Sequence, residues 1–205
     1  MLTDYVLAAV CVVVSVKLLR QKPVELPVRL WGIAFLLVSL SALTGGTWHG
    51  FGPDVDAQTR TILWKSTVYA AGVFDLLIVA GSILATVGGR LRTWLLVAVS
   101  VMFLTYAIWM AGHGDFLYVV LDSAGTMILL LILHGYAALV RADSASPWVI
   151  AAVLISALAA TVQASGFTLG AYLNHNDLYH LIQVVAMLLF YQGGKRLRTY
   201  SVAAD

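Results

Sequence analysis

Charge is the scarcest commodity in this chain. Of 205 residues, 12 are Lys or Arg and 10 are Asp or Glu, so charged residues make up 11%. A water-soluble domain carries about a quarter of its residues as these four types. A chain with less than half that share cannot cover its surface with water-binding groups. That composition excludes disorder, collagen and a basic nucleic-acid binder; the net charge of +2 says less than where the charges sit. One cysteine, Cys11, lies in an apolar run, so an internal disulfide and a Cys-rich metal site are both excluded. Proline is rare at 4 residues, and no Gly/Ser/Pro-rich linker or low-complexity tract interrupts the chain. What is abundant is apolar surface: 61% hydrophobic residues and a mean hydropathy of +0.91.

A bilayer core of about 30 Å needs roughly 20 mostly apolar residues per helix. Seven segments qualify: 2–19, 30–48, 66–87, 93–112, 116–140, 147–170 and 178–194. Each is too long for a membrane strand and lacks strict alternation. A helix satisfies its own backbone where no water is present. The sequence therefore predicts an all-α, polytopic membrane protein, a single seven-transmembrane helix bundle over residues 1–205.

Basic residues orient such a bundle, because cytoplasmic loops are enriched in Lys and Arg. Lys17, Arg20, Lys22, Arg29, Arg90, Arg92, Arg141, Lys195, Arg196 and Arg198 all fall on one side, and only Arg60 and Lys65 on the other. This places the N-terminus outside and the C-terminus in the cytoplasm. Asp4 precedes the first apolar run and positive charge follows it, the reverse of a signal peptide's layout. That run reads as a retained first helix.

Ionisable residues inside a membrane are costly and mark candidate sites. Under this topology His49 ends the second segment on the outer side. His113 and Asp115 lie in an outer connection, and Asp122 is about two turns into the fifth segment. His175, Asn176 and Asp177 open the seventh, with His180 on its first turn. Asp75 sits deeper, in the apolar run Gly-Val-Phe-Asp-Leu-Leu. Only His134 lies near the inner face, where it reads as an interfacial packing residue. Four of the five histidines thus share one level.

Plain structural roles compete at each position. His113 belongs to a Gly-His-Gly-Asp turn, Asn176 or Asp177 can cap the last helix, and Asp122 can bond a neighbouring hydroxyl. Gly45-Gly46 can serve close helix packing, or let the second helix bend so that His49 turns inward. Combined, the histidines suit zinc, whose catalytic sites hold three protein ligands and one open position. A carboxylate such as Asp75 would then orient the metal-bound water. His175 and His180 are five residues apart, about 140° around a helix, so His175 would have to precede the helix and bend back. Asn176 and Asp177 share the face of His180.

A His ending the second helix, an Asp in the third and paired histidines opening the seventh resemble the CREST membrane hydrolase superfamily. That group includes alkaline ceramidases, adiponectin and progestin receptors and Per1-like proteins. The resemblance covers the architecture of the whole chain and matches a small, bacterial-type member. It implies a zinc-dependent hydrolase of a lipid amide or ester in a bacterial cell membrane. His49 and His180 would be zinc ligands and Asp75 the catalytic carboxylate. The first histidine of the family's final H-x-x-x-H motif falls on Asn176. His175, Asn176 or Asp177 is left to complete the site, and Asp122 is a further candidate. Gly45 stands where the family has a Ser before its second-helix His. The implied cofactor is zinc and the implied partner a membrane lipid, with no nucleic acid. The rival expectation is a non-catalytic seven-helix sensor or receptor-like protein with a structural metal. A haem carrier has the pair His49 and His180 but no second pair. A retinal protein lacks an internal lysine in the seventh segment, and no inverted repeat supports a transporter.

Overall fold

A computed structural model of the chain describes residues 2–170 and 173–201. Among the described residues seven α-helices follow one another: α1 (Leu2–Leu19), α2 (Leu26–Phe51), α3 (Ala57–Thr86), α4 (Gly89–Gly112), α5 (Leu117–Arg141), α6 (Ser146–Ser165) and α7 (His175–Gly194). A single 3₁₀ turn, Gly52–Asp54, joins α2 to α3. The all-helical reading thus holds, and α1 matches its apolar run residue for residue.

Local chemistry explains the ends. α3 starts well before the apolar run because Asp56 caps it. The Asp56 carboxylate accepts the Thr59 amide at 2.9 Å and the Thr59 hydroxyl at 2.6 Å, satisfying donors that an open helix end leaves orphaned. α7 opens with a capping box: the Asn174 side chain accepts from the Asn176 and Asp177 amides, and Asp177 accepts back from the Asn174 amide. The cap is therefore Asn174, one residue before the His-Asn-Asp run. α6 stops at Ser165 because Gly166 turns left-handed, at φ 68°.

Six helices, α1 to α6, are long and apolar enough to cross a membrane. Large apolar side chains point outward from them, including Leu139, Ile108 and Trp94 at 89%, 75% and 70% exposure. A protein dissolved in water would hide such residues. α7 is more polar but equally deep. At its first turn it bonds Thr3 of α1, and just past its last turn the Thr199 amide donates to Glu25, which precedes α2. It therefore runs the full height of the bundle, parallel to α1.

Helices α1, α2, α3, α5, α6 and α7 close a ring in which α1 touches α7, while α4 leans on the outside of α3. Hydroxyls bind neighbouring backbones: Ser15 donates to the Gly32 carbonyl at 2.6 Å, Ser39 to Ala8 at 2.9 Å and Ser41 to Thr67 at 3.0 Å. Such bonds hold helices together where burial of apolar surface gives little. The core centres on Trp31, fully buried, whose ring N–H donates to the Ile78 carbonyl at 3.0 Å. Gly81 and Gly194 leave room for the indole: a Cβ there would lie 2.5 and 2.8 Å from its ring.

The helix directions sort the chain into two ends. Starts of α1, α3, α5 and α7 and ends of α2, α4 and α6 form a His-rich end. The opposite, basic end is closed by the tail after α7. There the Tyr200 amide donates to the Leu84 carbonyl at 2.9 Å, Arg198 faces Glu25 at 3.5 Å, and Arg92 donates to the Tyr200 carbonyl.

Candidate functional site

The His-rich end brings together residues far apart in sequence. Thr3 and Asp4 start α1, and Asp177 and His180 lie in the first turns of α7. Thr3 donates its hydroxyl to Asp177 at 2.9 Å, and the same oxygen lies 3.3 Å from His180 Nδ1. The other ring nitrogen, Nε2, lies 3.3 Å from Asp4 Oδ1. Asp4 is buried at 4% exposure. Beside it, Gly46 lets α2 approach so closely that a Cβ there would stand 2.6 Å from the Asp4 Cβ. Tyr5 and Thr47 share a hydroxyl contact of 3.1 Å across the same α1–α2 seam.

The hydrogens in this cluster can be counted. Three contacts, Asp177 to Thr3, Thr3 to His180 and His180 to Asp4, need three hydrogens. The Thr3 hydroxyl and a neutral imidazole supply two. All three contacts are met together when the cluster holds one further proton, on His180 or on a carboxylate.

The sequence-nominated residues divide among several places. His49 ends α2 exposed to solvent, edge-on to Trp48 at 5.0 Å, and lies within electrostatic reach of His180. His175 is the first residue of α7 and already helical, so it projects about 140° away from His180; it does not bend back. Asn176 accepts a bond from Gln163 of α6 at 3.0 Å. Asp177 serves the capping box and Thr3. α2 remains helical through Gly45 and Gly46 to Phe51, so these glycines serve close packing and there is no bend that turns His49 inward. Thr44 instead ties α2 to α3 through Thr67, at 2.9 Å.

Asp75 and Asp122 belong elsewhere, between α3 and α5. Asp75 is buried at 3% exposure, and its Oδ2 accepts the Ser123 hydroxyl at 2.7 Å. Asp122 and Thr126 line a small cavity with it. His134 is not interfacial but fully buried. Its Nε2 meets Ser82 at 3.1 Å and its Nδ1 meets Ser146 at 3.0 Å, and Ser146 donates on to Asp143 at 2.5 Å. His113 closes α4, stacked on Trp109 at 3.9 Å with Nδ1 against the Trp109 carbonyl.

Zinc is tested by this donor set. Among the described residues, no three His, Cys, Asp or Glu side chains form a group able to hold a metal ion. A histidine ligand offers the metal one bare ring nitrogen and uses the other for a hydrogen bond. Both nitrogens of His180 already face protein oxygens. The described residues as placed do not fit a three-ligand zinc centre.

Asp4 was not among the residues the sequence nominated. Its signal was available: an acid in the first turn of an apolar helix, at the level of four histidines and opposite a Gly-Gly pair. Ser82 and Ser146, the partners of His134, carried no signal beyond being hydroxyls in apolar runs.

No curated protein and no solved structure matches the chain. Residues 1–199 match the family described as a family of unknown function, DUF6962, and the chain belongs to that family.

Proposed function

We propose that this chain is an integral membrane protein of seven crossings that works by binding rather than by turnover, as a sensor or receptor-like bundle. Its N-terminus lies outside and its basic end in the cytoplasm. The polar joint between α1 and α7 is the element that changes state. The observation that carries this reading is the engagement of His180 on both ring nitrogens by α1, through Thr3 and Asp4. A side chain so held acts as a latch between two helices and has no free nitrogen for a metal. α7 supports the seventh crossing, since it reaches from the level of Thr3 to that of Glu25. Ten of the twelve basic residues support the orientation.

The zinc-dependent lipid hydrolase implied by the CREST resemblance is the second reading. One observation favours it: His49, Asp4 and Asp177 all lie within electrostatic reach of His180 at one level. Elemental analysis of detergent-purified wild type, His49→Ala and His180→Ala separates the two, alongside assays on ceramide and phospholipid. The binding reading expects no stoichiometric metal and no hydrolysis. One zinc per chain, lost in both variants, together with turnover by the wild type, would overturn it. A cysteine introduced at Asp205 and one at Asn174, labelled in intact cells by a membrane-impermeant maleimide, test the orientation. Only the second is expected to react.

A further inference from the structure

A second polar site lies away from the latch, where α3 faces α5. Asp75 is almost completely buried, and its Oδ1 has no hydrogen-bond partner. Asp122 and Thr126 sit four residues apart on one face of α5 and line a cavity of about 20 Å³ with Asp75, to which Met102 and Phe103 of α4 also contribute. That volume suits one body the size of a water molecule.

Two hydroxyls beside this cavity are already committed, and that of Thr126 is left to turn toward Asp75. Ser123 gives its hydrogen to Asp75 Oδ2. Tyr106, within electrostatic reach of both carboxylates, gives its hydrogen to the Val68 carbonyl at 2.8 Å. Among the described residues no Lys, Arg or His forms an ion pair with Asp75 or Asp122. Two neighbouring carboxylates in a low-dielectric place, with oxygens directed at a void, lack positive charge.

We infer that Asp75, Asp122 and Thr126 form a binding site for one sodium-sized monovalent cation between α3 and α5, with Ser123 holding the Asp75 carboxylate in place. The donors are all oxygen, the set a hard cation selects. Calcium takes six to eight oxygens and magnesium keeps several waters; a cavity for one small body with a few side-chain oxygens suits neither. Potassium, close to a water molecule in size, fills the same space but is drawn less strongly than the smaller sodium ion to so few oxygens. Entry is short from the His-rich end, because Asp122 is only roughly 8 Å along α5 from Leu117. The site stands independently of the α1–α7 latch.

The test is thermal unfolding of the full chain in detergent, with choline chloride replaced by NaCl at constant ionic strength. Parallel titrations use KCl, CaCl2 and acidification. Wild type is expected to show a saturable rise in Tm with sodium, and a weaker one with potassium. Asp75→Asn removes the response, and Thr126→Val, which keeps the side-chain shape, weakens apparent sodium affinity by roughly tenfold or more. If Asp75→Asn fails to fold, Thr126→Val decides alone. The inference is overturned by no sodium-specific rise in wild type, by an unchanged response in Thr126→Val, by tighter saturation with calcium, or by stabilisation on acidification alone.

Discussion

Substitution of Gly46 tests the seam on which the latch depends. A Cβ at Gly46 would lie 2.6 Å from the Asp4 Cβ and 3.1 Å from its Cγ. Carbon atoms in contact prefer about 3.5–4.0 Å, so α1 and α2 must separate by about 1 Å at this point. Both atoms met first belong to the short, root-held part of Asp4, which cannot swing aside as a long side chain would. Overpacking of this kind costs about 1–3 kcal/mol. Gly45 is the internal control. A Cβ there meets only the Thr67 side chain, its methyl at 3.2 Å and its hydroxyl at 3.7 Å, and Gly→Ala within a helix gains about 1 kcal/mol. The two alanine variants carry the same propensity gain, so it cancels in their comparison. Gly46→Ala should unfold below Gly45→Ala by roughly 2–12 °C in detergent, taking about 2–4 °C per kcal/mol for a chain of this size. Asp4→Gly removes the facing Cβ but also the His180 contact, so the two changes are read as a cycle: Asp4→Gly should cost less in the Gly46→Ala background than in wild type. Equal Tm values for the two alanine variants, or a lower one for Gly45→Ala, would refute the reasoning.

Other perturbations follow from the same contacts. His134→Ala removes a fully buried ring that bonds Ser82 and Ser146. Combining a cavity with the loss of two buried hydrogen bonds, it should cost about 3–5 kcal/mol in unfolding, against about 1 kcal/mol for Ser82→Ala. Gly81→Ala places a Cβ 2.5 Å from Trp31 Cδ1 and 3.1 Å from the Pro27 carbonyl. With backbone on one side and a locked indole on the other, it should lower Tm while Gly125→Ala, whose Cβ meets nothing within 4 Å, does not. At the α3 start, the Thr59 bonds hold the Asp56 carboxyl below its ordinary value of 3.8. A depressed folded-state value means the cap is fully formed at neutral pH and lost as pH falls below 3.8 through the lower one. Amide exchange at Thr59 should therefore be slower in wild type than in Asp56→Ala at pH 7, and the difference should close in strong acid.

The fold was legible because hydropathy is a one-dimensional signal. α1 could be read to the residue, since an apolar run and a helix coincide there. α3 could not, because its first turns stand beyond the apolar run and depend on the Asp56 cap. The level of the histidines was legible too, because helix length fixes depth. Their partners were not. Asp4 and His180 are joined through the closure of the ring between α1 and α7, and nothing local in either helix announces it. His134 shows the same limit: a single histidine near a helix end reads as interfacial until Ser82 and Ser146, from two other helices, are seen on its two nitrogens.

The two ends of the bundle are held by different kinds of force, and this bears on which end can change state. At the basic end Trp31 is clasped by glycines from α3 and α7 and packs edge-on against Phe190 at 5.8 Å and His134 at 6.5 Å. The chain after α7 is tied to Glu25, Leu84 and Arg92. Loosening that end means undoing shape-matched packing, which is lost all at once. At the His-rich end α1 and α7 meet through polar contacts, two of them at 3.3 Å, whose hydrogens close only with an added proton. Polar contacts of that length are weak individually and respond to the local charge. Under the proposed sensor reading, an opening of the α1–α7 joint would pivot about the Trp31 core and gape beside Asp4, at the level where the histidines are gathered.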